Sequence, residues 1–461
     1  MKIRSVLAAV LTLSLFIACS TKTKSDTTVS LQHLDPEISE MLSEISADTI
    51  EKNIRALAGF GTRHTLSETE SDTHGIGAAR EWIRDEMQRY SDEAGGRLQV
   101  EFHSFIQEPM RRVPEPTEIV NVIATLPGSD PADDRYFVVS GHYDSRATHI
   151  MDAESDSPGA NDDASGTAAV MEMARIMSQY EFPATLVFMA VAGEEQGLLG
   201  AARWAEEAAD AGLNIAGMIT NDIIGNHAAE NGALSDPYKV RLFAQGVPAE
   251  QELDGHTLRY IRTGGESDMP TRQLARTIKE VSESYLPDMN VWLIYRADRY
   301  LRGGDHLPFI REGYPAVRIS EPHEHFPHQH QDVREEEGIQ YGDLPEFVDY
   351  PYVARVTAVN LAAFANLARS PKPPQNVGMN TSQLENNTRL RWEESPSGNI
   401  SGYEVLWRET TSPVWQHREN VGNATHYTAE LVSKDNYIFG VRSVSEGGHV
   451  GVPVYPMPFR E

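Results

Sequence analysis

Three short apolar runs in this chain each end in acidic or imidazole side chains. The first, Tyr136-Phe137-Val138-Val139-Ser140, leads into Gly141-His142-Tyr143-Asp144-Ser145. It is β-branched and aromatic, so it reads as a buried strand with His142 and Asp144 at its C-terminal end. In an open α/β sheet that edge is where ligands bind. The second run, 184–191, is almost wholly apolar and passes into Gly193-Glu194-Glu195-Gln196-Gly197. The third, 215–219, passes into Asn221-Asp222. Between the first two lies Asn161-Asp162-Asp163, a tight loop opening a stretch with apolar residues at helical spacing, Val170, Met173, Ala174 and Met177. A histidine and several carboxylates gathered at one sheet edge suit a cation such as zinc. Two zinc ions about 3.5–4 Å apart can share a hydroxide and polarise a peptide carbonyl. A carboxylate that binds no metal must then take the water's proton and hand it to the leaving amine. Adjacent Glu194 and Glu195 can divide that work, because neighbours on an extended segment point apart.

Each piece has an ordinary explanation by itself. A Glu-Glu pair after a strand is a helix start favoured by the macrodipole, Asp162-Asp163 a turn with an N-cap, and His142 a satisfied core histidine. It is the ordered set that is specific. His142-Tyr143-Asp144-Ser145, Gly159-Ala160-Asn161-Asp162-Asp163-Ala164-Ser165-Gly166, Gly193-Glu194-Glu195 and Asn221-Asp222 together resemble the co-catalytic di-zinc aminopeptidases, metallopeptidase family 28, over about 50–367. The resemblance implies that His142 and Asp222 bind one zinc, that Glu195 and a late histidine bind the other, and that Asp162 bridges them. Glu194 would be the general base. Asp144 would hydrogen-bond the far nitrogen of His142 and fix its tautomer. A cis peptide after Asp162 is also implied. In the family the late histidine is followed four residues later by an acid, which favours His328 with Asp332; His330 and His325 remain open as ligands. Asp305-His306 resembles a family motif beside the substrate pocket, or reads as a turn.

These residues need a scaffold, and the pattern around them supplies one. Helical faces appear over 47–58, 75–90, 270–285 and 353–367, and strands over 98–105, 119–126, 289–295 and 316–320. Strands alternating with helices mean an α/β domain, and the resemblance implies an α/β/α sandwich on a mostly parallel mixed sheet. The interval 227–269 has weak periodicity and reads as an insertion over the site. Ser370-Pro371-Lys372-Pro373-Pro374 breaks the regime. Beyond it short alternating stretches around Trp392, 403–408 and 437–441 suit a small all-β sandwich and resemble a fibronectin type III domain. The domains expected are therefore a peptidase domain over 35–369 and a β-sandwich over 370–461.

The chain has 461 residues, 40 basic against 68 acidic, for a formal net charge of −28. So acidic a chain is no nucleic-acid binder, and it favours cationic partners such as the free amino terminus of a peptide. Lys2 and Arg4 precede an apolar run that ends at Cys19, the only cysteine. This is a secretory signal over 1–19, and Leu15-Phe16-Ile17-Ala18-Cys19 resembles a bacterial lipoprotein box, with Phe16 departing from the usual leucine. The expected setting is the bacterial cell envelope, with membrane attachment through a lipidated Cys19 and a flexible polar tether over 20–34. The expected activity is removal of N-terminal residues from peptides. The rivals are a glutaminyl-cyclase-like or carboxypeptidase-like enzyme on the same fold, and a catalytically silent binding protein.

Overall fold

Eight strands carry the first domain in the computed structural model, which describes residues 28–230, 232–248 and 253–460. They are β1 (Gln99–Gln107), β2 (Thr117–Leu126), β3 (Arg135–His142), β4 (Thr185–Val191), β5 (Asn214–Asn221), β6 (Lys239–Phe243), β7 (Asn290–Ile294) and β8 (Ala316–Ser320). Their order across the sheet is β1-β2-β4-β3-β5-β8-β6-β7. The four central strands β4, β3, β5 and β8 are mutually parallel. Register aligns their C-terminal ends: His142 lies opposite Val191, Ser140 opposite Thr220, and Asn221 opposite Ile319. The runs that end in chemistry are thus neighbours in space.

Alternation along each strand divides the core in two. Phe137, Val139, Phe188 and Ile219 face one side. There they meet α2 (Ala47–Ala58), α3 (Gly75–Glu93), α4 (Ala164–Met177), α8 (Pro270–Tyr285) and α10 (Tyr350–Arg369), while α1 (Pro36–Ser43) packs outside α10. Val138, Val187, Met189 and Met218 face the other side with α6 (Leu199–Asp210) and α9 (His306–Arg311). Near-continuous apolar runs are what a sheet covered on both faces requires. Two short helices, α5 (Glu194–Gly197) and α7 (Gly255–Arg262), complete the set. The interval expected as an insertion without periodicity contains β6 and α7. Its strand was obscured because Arg241 on β6 is polar yet held inward, donating to Glu321 O at 2.6 Å and to Glu324 at 2.9 Å. No described helix is long and apolar enough to cross a membrane.

A small hairpin, β9 (Arg334–Glu336) and β10 (Ile339–Tyr341), precedes α10. After it the chain forms a β-sandwich from β11 (Gln375–Asn380), β12 (Thr388–Glu393), β13 (Ile400–Glu409), β14 (His417–Asn420), β15 (His426–Ala429), β16 (Tyr437–Ser445) and β17 (Met457–Phe459). Its sheets, β15-β12-β11-β17 and β14-β13-β16, enclose Trp392, Tyr403, Val405, Phe439 and Val441.

The sandwich is fastened to α8 by buried ions. Arg442 on β16 makes a two-pronged bond to Glu280 of α8, at 2.7 and 2.8 Å, and also reaches Glu404 on β13. Arg408 meets Asp268 at 2.7 Å, Asp268 meets Arg276 of α8, and Arg276 donates to Pro413 O. Residues 28–34, expected as the end of a free tether, run along this seam instead. Val29 N–H donates to Trp415 O, Leu31 N–H to Ser284 Oγ, and Arg418 holds Ser30 O. These bonds are made by main-chain atoms, which any sequence supplies, so composition could not reveal them. The signal segment, Cys19 and the first part of the tether lie outside the described residues.

Candidate active site

Two glycines let the site form. A Cβ on Gly141 would sit 2.5 Å from Gly166 C, and one on Gly166 would sit 2.4 Å from Asn221 O. The start of α4 therefore rests directly on the ends of β3 and β5. Asp163 caps that helix and ties both strand ends to it: its carboxylate accepts from Gly166 N at 2.9 Å, His142 N at 3.0 Å and Ile223 N at 3.3 Å. The Asp162–Asp163 peptide is cis, and Asp162 faces the opposite way, into the cleft.

Around Asp162 the side chains form two groups. His142, Glu194 and Asp222 bring ligand atoms within 4.8 Å of one another, as do Asp162, Glu195 and His330. Asp162 offers one oxygen to each histidine: Oδ1 lies 3.2 Å from His142 Nε2 and Oδ2 lies 2.8 Å from His330 Nε2. His142, Asp162, Glu195 and Asp222 are all buried, Glu194 partly so. So many carboxylates with little water repel unless cations lie among them. Glu195 Oε1 makes no well-aligned hydrogen bond although it is buried, and imidazole nitrogens alternating with carboxylate oxygens are a donor set that zinc accepts. These residues fit a metal centre.

The titration of the histidines carries the same message. Burial opposes charging His330, yet Glu195 and Asp162 push it up to about 10. Burial likewise opposes His142, but Asp144 and Asp162 hold it well above the usual imidazole range. Burial works to raise Asp162, and the two histidines keep it well below the usual carboxylate range.

The structure brings His330, not His328, beside Asp162 and Glu195. His328 stacks on Phe347 at 3.7 Å between ring centroids and on His325 at 3.6 Å, with burial lowering it to about 4. Asp332, the acid expected to partner it, exchanges hydrogen bonds with Thr148. What spacing could not show is that His330 has a φ of 53°, a left-handed turn that aims its ring back at Asp162. His330→Ala should therefore lower the metal bound per chain, while His328→Ala should leave it unchanged, as measured by elemental analysis of dialysed protein.

Asp144 also differs from expectation. His142 Nδ1 bonds its main-chain carbonyl at 3.1 Å, whereas its carboxylate lies 3.5 Å away. That carboxylate instead accepts from Glu194 N at 3.3 Å, Glu195 N at 3.2 Å and Thr65 Oγ1 at 3.0 Å. It fixes the start of α5, and so the aim of both glutamates. It is a positioning residue. Asp305 and His306 stand outside both groups. His306 Nε2 bonds Ala297 O at 2.8 Å, and burial, with the charges of Asp144 and Asp222, raises Asp305 to about 7.

Three supporting residues were not foreseen. Arg63, fully buried, donates to Tyr143 O at 2.6 Å, Leu57 O at 2.9 Å and Gly159 O at 3.0 Å, pinning both loops of the 141–166 stretch. Asp343 accepts from Asn161 N and Asp162 N, each within 2.8 Å. Arg318 joins Asp222 at 2.8 Å and Asp298 at 2.7 Å. Burial works to raise Asp298, but Arg318 and Arg299 hold it down to about 2. Only Arg318 left a trace in the sequence, as the lone charge within the apolar run 316–320.

A family model described as peptidase family M28 matches residues 121–348, and one described as a fibronectin type III domain matches 372–456. A probable zinc metalloprotease of Leptosphaeria maculans is 49% identical over 424 residues, 92% of this chain and 97% of that protein. Another, of Pyricularia oryzae, is 47% identical over 435 residues, 93% of this chain and 86% of that protein. Among solved structures, LapB from Legionella pneumophila superposes with a TM-score of 0.51 at 16% identity, covering 75% of this chain and 79% of its own. That likeness bears on fold alone.

Proposed function

The chain belongs to peptidase family M28, and we propose that this zinc metalloprotease is an aminopeptidase releasing N-terminal residues from peptides. The observation that carries the reading is Asp162, with one oxygen toward each of two groups of ligands. His142 and Asp222 would hold one zinc and Glu195 and His330 a second, with Asp162 between them. Bound there, the ions supply Lewis acidity to the peptide carbonyl and make the attacking water more acidic.

The remaining work falls to the chain. Glu194, beside the first group and partly open to the cleft, accepts the proton of the attacking water as oxygen bonds to the carbonyl carbon. It returns that proton to the nitrogen as the carbon–nitrogen bond breaks, leaving a free amine and a carboxylic acid that gives up its own proton to solvent. Burial, against the charge of His142 and with those of Asp222, Glu195 and Asp305, raises the pKa of Glu194 above the ordinary range. Asp144 holds it in place through its main-chain N–H. The carboxylates gathered around Asp162 favour the ammonium group at a peptide's N-terminus. Two groups of ligand atoms with Asp162 between them favour two ions, and hence hydrolysis, over a glutaminyl-cyclase-like reading. We further propose export and anchoring through Cys19, for which globomycin-sensitive processing is the check.

The test of the activity is a peptide panel in free and N-acetylated forms, assayed after chelation and after zinc is restored. Cleavage should require both zinc and a free N-terminus. Equal cleavage of acetylated peptides would remove the aminopeptidase reading and leave only the peptidase.

A further inference from the structure

The cleft beside Glu194 and Glu195 has a volume of about 490 Å³, and five arginines line it: Arg112, Arg146, Arg299, Arg302 and Arg311. Its apolar lining is confined to Leu198, Leu301 and Leu307. We propose that the site selects substrates that carry a carboxylate within one residue of the scissile bond. This deepens the aminopeptidase reading and rests on it.

A first explanation for the arginines would be that they balance the acidic ligands. Their bonds bear this out only in part, through Arg146 and its long ion pair of 3.8 Å to Glu195. Arg112 spends one nitrogen on the main-chain oxygen of Glu195, at 2.9 Å. Arg146 is tied back to Ala147 O at 3.2 Å and Thr148 O at 3.1 Å, and its Nη1 stays 3.8 Å from Glu195 Oε2. On the opposite wall Arg299 and Arg302 share the single carboxylate of Glu324, at 3.0 and 3.3 Å, which Arg241 also engages at 2.9 Å. Arg299 has Asp298 as well, at 3.1 Å, but Asp298 is already committed to Arg318. The ligand that does need a cationic neighbour, Asp222, has Arg318, which is not part of the lining.

In the lining the five arginines face the four carboxylates Asp162, Glu194, Glu195 and Asp222, so the two signs come close to balancing. Two divalent cations would offset the four carboxylates Asp162, Glu194, Glu195 and Asp222, and the arginines would then set the sign of the cleft. Arg302, whose side chain is 36% exposed, meets Gln329 only at 3.4 Å beyond its share of Glu324. A leucine-like substrate side chain would strip water from these guanidinium groups and return no hydrogen bond. A carboxylate returns charge-assisted, two-pronged bonds.

Such a carboxylate could be an acidic side chain or the free C-terminus of a dipeptide. Three peptide pairs separate the sources. Two carry glutamate against glutamine at the first or the second position, with amidated C-termini, and the third is alanyl-alanine against its amide. Each pair is measured twice, as kcat/KM with the zinc-loaded full chain and as Kd by calorimetry with the Glu194→Gln chain. At least one pair should favour its carboxylate member by about tenfold in both readouts, and the pair that does so names the source. Arg302→Gln or Arg146→Gln should collapse that ratio toward one. Ratios below about threefold in all three pairs, or a ratio that survives both substitutions, would overturn the proposal. N-acetylating the favoured peptide tests the other reading: unchanged cleavage would sink the aminopeptidase assignment, while the carboxylate preference stands on its ratio.

Discussion

Glu194→Gln should cut turnover by about 10²- to 10⁴-fold and leave the zinc content of the chain as it was. Glutamine keeps the shape of the side chain and its packing over the ligands but cannot accept a proton from water. Glu194 lies within 4.8 Å of ligand atoms on His142 and Asp222, so the result also separates two roles. A base costs turnover alone, whereas a ligand would cost metal as well. Single-turnover kinetics beside elemental analysis gives both numbers. Loss of zinc in proportion to activity would move Glu194 into the coordination sphere and leave the base unassigned.

The second large effect is on stability. Arg442→Ala should destabilise the whole chain by about 3–5 kcal/mol, because it strands Glu280 as an uncompensated charge in a buried seam and leaves Glu404 only its 3.5 Å pair with Arg418. Replacing the ionic group by apolar residues of similar volume, Arg442→Met with Glu280→Leu and Glu404→Leu, should recover most of the loss, since the cost lies in the unpaired charges. Denaturation followed by tryptophan fluorescence reports both. Unfolding of the β-sandwich alone, with the peptidase domain untouched, would contradict the seam's role and restore the picture of a detachable module. The seam passes close to the site: Tyr295, whose hydroxyl bonds Pro413 O at 2.5 Å, precedes the loop that bears Asp298 and Arg299.

The path from sequence to this account was uneven for physical reasons. Fully buried parallel strands announce themselves as apolar runs, and residues placed just after them must share an edge. His142, Glu194, Glu195 and Asp222 could be gathered on that ground alone. His330 could not, because which of four nearby histidines faces inward depends on one left-handed backbone turn that composition does not reveal. Asp144 was found, but its main-chain carbonyl lies nearer His142 Nδ1 than its carboxylate does, at 3.1 against 3.5 Å. Arg63 and Asp343 were invisible, since they act by bonding main-chain atoms, and any loop could have supplied such groups. On α8, Arg276 and Glu280 are one turn apart and resemble a solvated face; the β-sandwich that buries them comes more than a hundred residues later.

The account stands on strand ends converging around Asp162. Anomalous diffraction at the zinc edge from crystals of the zinc-loaded chain tests this most directly. It should show two peaks, one on either side of the Asp162 carboxylate, the first beside His142 and Asp222 and the second beside Glu195 and His330. A single peak, or a second one lying away from Asp162, would contradict it.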